Sequence, residues 1–266
     1  MRVFALLSKE LADLRRNPAV FLPAVITGAI SIILPFFVAI IVPYVTGERL
    51  SDSSDFRVAI DMYRSQAGSR RLDPEGAIQA WIFQQFLLLL VLTPIAGAMS
   101  MAAYTVIGEK QARSLEPLLA TPISTFELLA AKVLGSLLPS VGLSVACFVV
   151  YLAAVAAVAN PGVFLILFAP RSLAIVFLIG PLAALVALQL AVCVSSRVND
   201  ARSAQQMGAL VILPLSGLLV AQLTGNVELT LPVIVLIVAV LLLLNAGLMR
   251  IGIALFDRES ILTRWK

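Results

Sequence analysis

Long apolar runs alternate with short charged ones along this chain. Six runs, at 20–45, 81–107, 133–159, 173–194, 207–223 and 231–249, contain no Asp, Glu, Lys or Arg. A helix that crosses a bilayer needs about 20 mostly apolar residues. The fifth run is short and interrupted by Pro214; the others reach or approach that length. A barrel strand would instead show alternation over about ten residues. These runs are apolar on every side, and only helices satisfy their own backbone inside lipid. The pattern predicts an all-α membrane protein with six transmembrane helices.

The punctuation between the runs predicts further detail. Phe4, Leu7, Leu11 and Leu14 recur at helical spacing, with Arg2, Lys9, Glu10, Asp13 and Arg16 among them. That is the pattern of an amphipathic helix over 1–17 lying at the membrane interface. The first run is about twice the length of a signal-peptide apolar core and lacks a small-x-small site after it, so it is expected to stay as a span. Segment 46–80 is the one sizeable loop, and Asp73-Pro74 near its end reads as a helix N-cap followed by Pro at the first helical position. Trp81 is then expected at headgroup level. Prolines 94, 139, 181 and 214 are expected to kink their helices. Extra re-entrant helices before the sixth span would have to be cut from 214–230, where Pro214, Gly217 and Gly225 supply breaks.

Composition agrees with a membrane protein: 61 % of residues are hydrophobic and 13 % charged, against about 25 % charged in an ordinary globular chain. The charge that remains is asymmetric. Six spans put both termini on one side. That side then carries thirteen of the nineteen Lys and Arg residues, and the other carries Arg49, Arg57, Arg64, Arg70, Arg71 and Arg171. The positive-inside rule therefore predicts cytoplasmic termini. The net charge of +4 reflects this topology, since no basic face carries interleaved aromatics for nucleic acid.

Candidate chemistry is sparse. There is no histidine, and Cys147 and Cys193 both fall inside spans, where they behave as small hydrophobes. Neither a metal cluster nor a histidine base can be assembled from this set. No serine sits in a GxSxG turn. The spans hold no ionisable relay of the kind that couples ion flow to transport, and no GxxxxGK[ST] loop is present to cradle ATP phosphates. The bundle's polar positions are Gln84, Gln85, Thr93, Ser100, Ser144, Gln189, Gln222 and Asn245. Ordinary helix–helix hydrogen bonds account for such groups, at about 0.6 kcal/mol each. All of them except Ser144 are also the candidates for a substrate path. The remaining choices are a passive channel or assembly scaffold, or a protein that borrows its energy from another subunit.

The charged segment 108–132 bears on that choice. It contains EKQARSLEPLLATPIS at 109–124, and six charges lie between Glu109 and Lys132. Gly108 is expected to close the second span. A helix over 109–119 is expected, broken near Pro117, with a turn at Thr121-Pro122. Ser124 and Glu127 form a capping box for a second helix that runs through Lys132 into the third span.

This stretch resembles the cytoplasmic loop of ABC type-2 permeases, the membrane subunits of a class of bacterial ABC transporters. Glu109, Ser114, Leu115, Glu116, Leu118, Leu119, Thr121, Pro122, Ile123 and Ser124 match that family's pattern; Arg113 stands where the family often has Gly. SSRVNDARSAQQMGALVILP at 195–214 resembles the family's approach to its fifth span, and the six-span layout covers the chain. The resemblance implies one transmembrane domain over 1–266 with an N-terminal interfacial helix. It implies that 109–124 is a coupling helix docking on a separate ATP-binding subunit through Glu109, Arg113, Ser114, Leu115, Glu116, Leu118, Leu119, Thr121, Pro122 and Ser124. It further implies that ATP and Mg2+ are bound by that partner, that this chain holds no cofactor, and that it pairs with a second copy or a related permease in the bacterial inner membrane. An exporter is the expected activity.

Overall fold

The computed structural model describes residues 17–52, 72–111, 125–195 and 201–255, together with Ser8 and Ala12. Among these residues every regular element is helical, and six helices are long and apolar enough to cross a membrane: Leu22–Thr46, Pro74–Ala102, Ala130–Val158, Pro170–Val194, Gln205–Leu223 and Leu231–Ile253. The interfacial helix expected over 1–17 and most of the 46–80 loop lie outside the described residues.

The spans are not uniform rods. The first comprises α1 (Leu22–Phe36), a π-turn (Phe37–Ile41) and α2 (Val42–Thr46). The second comprises α3 (Pro74–Leu90) and α4 (Leu92–Gln111), separated by a turn at Val91. The third is the continuous α5 (Thr125–Val158). Two short helices follow, α6 (Val163–Leu167) and α7 (Pro170–Ala174). A π-turn (Ile175–Ile179) then leads into α8 (Gly180–Ser195). The fifth span joins α9 (Ala201–Gly208) through a 3-10 turn (Ala209–Val211) to α10 (Ile212–Leu223), and α11 (Leu231–Leu255) is the sixth.

Most of the irregularities follow from proline. Proline has no N–H, and its ring presses on the carbonyl four residues back. In the first span the Val42 N–H bonds to Phe37 O, five residues back, just before Pro43. The Gly180 N–H does the same to Ile175 O just before Pro181. Each π-turn widens the helix where the ring needs room. Before Pro94 the helix tightens instead: the Val91 N–H bonds to Leu88 O at 3.2 Å. Pro214 falls in the first turn of α10, directly after the 3-10 turn Ala209–Val211, where a proline is tolerated. Pro139 lies inside α5, which runs through it without interruption. Gly108 also lies inside α4, which continues to Gln111, so it does not end the helix.

Spans two and four form the interior. They bury 78 % and 67 % of their most apolar stretches, whereas spans one, three, five and six bury between 11 % and 28 %. The closest helix pairings are α4 with α8, α4 with α5, α8 with α11, and α1 with α4. One core cluster joins Ile95, Ala98, Met99, Ala183, Ala187 and Leu188 of the two interior spans. A second, toward the other end, holds Phe83, Leu87, Phe148, Tyr151 and Leu167. There the rings of Phe36, Phe83 and Tyr151 meet at 4.9–5.9 Å, and the Tyr151 hydroxyl donates to Phe83 O at 2.8 Å. Lipid supplies no hydrophobic drive between spans, so close approach depends on small residues and on such bonds. Ala24 of α1, Gly97 of α4 and Ser140 of α5 make one such crossing. Ser31 bridges α1 to the broken second span, with its hydroxyl shared between Leu89 O (2.9 Å) and Thr27 O (2.8 Å).

The α3 end of the bundle is tied by polar contacts. Asp73 caps α3 by accepting from the Gly76 N–H at 3.2 Å, with Pro74 in the first turn, as the Asp-Pro pair predicts. Asn160, in the turn after α5, donates through its side chain to Asp73 Oδ2 (3.3 Å) and through its backbone to Gln79 Oε1 (2.9 Å). The Glu75 carboxylate accepts from the Leu50 and Ser51 N–H groups at 3.3 and 3.2 Å.

Candidate functional site

The middle of α3, the start of α7, the end of α10 and the α10–α11 connection meet at a polar cleft. Trp81, Gln84 and Gln85 come from α3, Arg171 and Ser172 from α7, and Gln222 from α10. Gly225, Val227, Glu228 and Leu229 come from the connection, and Ile175 closes the floor. The local sequence sets these positions. Ala169 is extended before Pro170 and accepts from the Ser172 and Leu173 N–H groups at 2.9 and 3.2 Å, which turns Arg171 and Ser172 inward. Gly225 takes φ +74, a left-handed conformation suited to glycine. The Asn226 and Val227 N–H groups then fold back onto Ala221 O at 2.9 and 3.1 Å. That fold-back brings Glu228 to the cleft.

Inside the cleft the Arg171 guanidinium donates to Gln84 Oε1, and Gln84 Nε2 donates on to Ile166 O at 3.4 Å. Three segments, α3, α6 and α7, are thereby joined through one glutamine. Ser172 Oγ and Gln222 Oε1 are buried without a hydrogen-bond partner among the described residues. Buried polar atoms without partners are uncommon, and two in one cleft mark it out. The free space in the cleft is about 20 Å³, room for roughly one water molecule.

The seven polar residues expected on a substrate path are placed as follows. Gln84, Gln85 and Gln222 share the cleft. Ser100 accepts from Gln205 Nε2 at 3.2 Å between α4 and α9. Asn245 donates to Leu182 O at 3.1 Å and to Leu241 O at 2.8 Å, tying α11 to α8. Thr93 and Gln189 are buried on the two interior spans. The hydroxyl of Thr93 and the carbonyl oxygens of Gln189 and Asn245 have no partner among the described residues. Sequence reasoning missed Arg171, Ser172 and Glu228. Arg171 was legible only as a loop charge, and nothing in the pattern around Glu228 signals that the connection folds back. Lys132, read as part of the charged segment, is 2 % exposed within α5.

Of the coupling candidates, Glu109 lies on the helical backbone of α4. Arg113, Ser114, Leu115, Glu116, Leu118, Leu119, Thr121, Pro122 and Ser124 lie outside the described residues. The helices that bracket them are placed: α4 runs to Gln111 and α5 starts at Thr125, with Glu127 in its first turn.

The family model described as ABC-2 family transporter protein matches residues 4–237. The chain belongs to this family. Its six apolar helices are thus those of an ABC-2 permease, a multi-pass membrane transport protein. The match takes in the charged segment, the cleft and both interior spans, and it ends within α11, before Asn245. No curated protein matches this ABC-2 permease.

Proposed function

We propose that the chain is the non-catalytic transmembrane subunit of an ATP-driven ABC exporter in the bacterial inner membrane. ATP and Mg2+ are bound by a separate ATP-binding-cassette subunit, and the permease works as a pair with a second copy or a relative. Both termini face the cytoplasm. The observation that carries this reading is the family match across 4–237 with LEPLLATPIS, at 115–124, falling between the second and third spans. The chemistry supports it. The chain has no phosphate-binding loop of its own. Charges at a membrane surface are suited to pairing with a partner, and leucines on one face of a helix are suited to a partner groove.

The test is Glu116→Lys in the complex with the ATPase that co-purifies with the chain. An exposed charge on a mere connector changes stability by no more than about 0.5 kcal/mol. Reversing a paired charge in a docking surface costs about 2–5 kcal/mol of association. The expected outcome is a folded, membrane-inserted protein that loses bound ATPase and with it substrate transport into inverted vesicles. Full ATPase retention and transport with Glu116→Lys, and again with Glu109→Lys and Arg113→Glu, would return the segment to a connector.

A further inference from the structure

We propose that the cleft between Arg171 and Glu228 binds an ethanolamine-phosphate group, a primary ammonium joined to a phosphate, carried by a phospholipid headgroup or free in solution. Two buried side-chain oxygens in the cleft have acceptor capacity that nothing among the described residues uses. Ser172 is 1 % exposed and Gln222 is 6 % exposed, and neither Ser172 Oγ nor Gln222 Oε1 has a partner among the described residues. Both atoms can accept hydrogen bonds, and Glu228, an exposed acidic residue, lines the same cleft. A primary ammonium carries three N–H donors that such oxygens can accept. A quaternary ammonium carries none.

The opposite charge is also placed. Arg171 uses one guanidinium N–H on Gln84, which leaves others of its five donors for an oxyanion, and guanidinium geometry suits phosphate. One cation and one anion leave the cleft neutral, so a lone cation or lone anion would be unbalanced there and a zwitterion would not. Size separates the two parts of the ligand. The free space of about 20 Å³ is on the order of one water-sized group, which suits the ammonium better than the phosphate. Arg171 and Gln222 lie at the ends of their spans and Glu228 in the connection between two of them, and span ends are where headgroups are found. This inference concerns binding alone and holds whether the bound group is cargo or a resident of the bundle.

The test uses the full chain in detergent micelles, read by thermal unfolding during titration. Phosphatidylethanolamine, phosphatidylcholine and phosphatidylglycerol with the same acyl chains are compared, beside soluble phosphoethanolamine and phosphocholine. Ethanolamine phosphate, in one of its two forms, should bind at least about tenfold more tightly than its choline counterpart, as expected for lost hydrogen bonds to a charged group. Gln222→Leu and Glu228→Gln should each abolish that preference. Gln222→Leu removes a buried polar atom that has no partner, so the fold should tolerate it. Saturable binding of soluble phosphoethanolamine identifies a soluble ligand, and binding restricted to the lipid form identifies a headgroup. A preference below about tenfold in both forms, or one that survives both substitutions, overturns the proposal.

Discussion

A Cβ on Gly97 would lie 3.0 Å from Ser140 Oγ and 3.1 Å from both Ser140 Cβ and Ala24 Cβ. The two Cβ atoms are fixed to their helices and cannot rotate away, so any side chain at 97 must push three spans apart. Gly142, on α5, has nothing within 4 Å of the corresponding position. The pair makes a clean contrast. Gly97→Val should destabilise the protein by about 1–3 kcal/mol through overpacking. Gly142→Ala should be neutral or stabilising by up to about 1 kcal/mol, since alanine is the better helix former. Thermal unfolding in detergent measures both, and equal effects would refute the packing argument. Nothing in the local sequence separates these two glycines, because the distinction lies in which neighbour arrives. The same holds for the polar residues. Gln84 and Gln85 are adjacent, yet Gln84 alone bridges Arg171 and Ile166 O.

The helices record where proline was placed, and the structure adds how each one is accommodated. Pro43 and Pro181 follow widened turns, Pro94 follows a tightened one, and Pro139 leaves no interruption. The break before Pro94 faces the Gly180-Pro181 irregularity: a Cβ on Gly180 would lie 3.7 Å from Pro94 Cγ. Both interior spans are thus irregular at the same contact. Pro94→Ala supplies the missing donor for Leu90 O and should let α3 and α4 join. An interior proline costs a helix about 3 kcal/mol, and recovering part of it should stabilise the span by about 1 kcal/mol. Amide exchange across 90–95 should slow accordingly. Unchanged exchange would mean that tertiary packing, rather than the proline, holds the break open.

At the scale of the molecule, two interior spans are wrapped by four that expose apolar side chains such as Leu236, Leu243 and Val235 of α11. In a bilayer these face lipid tails, so the exposed apolar surface suits a membrane bundle. The direction of insertion rests on charge: thirteen of nineteen Lys and Arg residues fall on the side assigned to the cytoplasm, and that excess sets orientation. A cysteine at Ser54 should therefore react with an impermeant reagent in intact cells. A cysteine at Ser114 should react only after permeabilisation. The reverse labelling would invert the topology and detach 109–124 from any cytoplasmic ATPase.

The sequence by itself determined the helical class, the number of spans and the family, because each rests on local quantities. Run length against bilayer thickness, apolarity on all faces and a contiguous motif need no knowledge of neighbours. The Asp73-Pro74 cap belongs with these, since its bond closes within three residues. The tertiary structure alone decided which spans lie inside, which glycines are contacts, and where the polar groups meet. Inside lipid every span is apolar, so hydropathy cannot rank them; burial follows from small residues and carbonyl bonds between helices far apart in the chain. Arg171 and Gln84 are separated by 87 positions, and Glu228 joins the same cleft lining through a connection that turns at Gly225 in a left-handed conformation. The cleft exists because separate helices are held together, and no pattern within any one of them contains it.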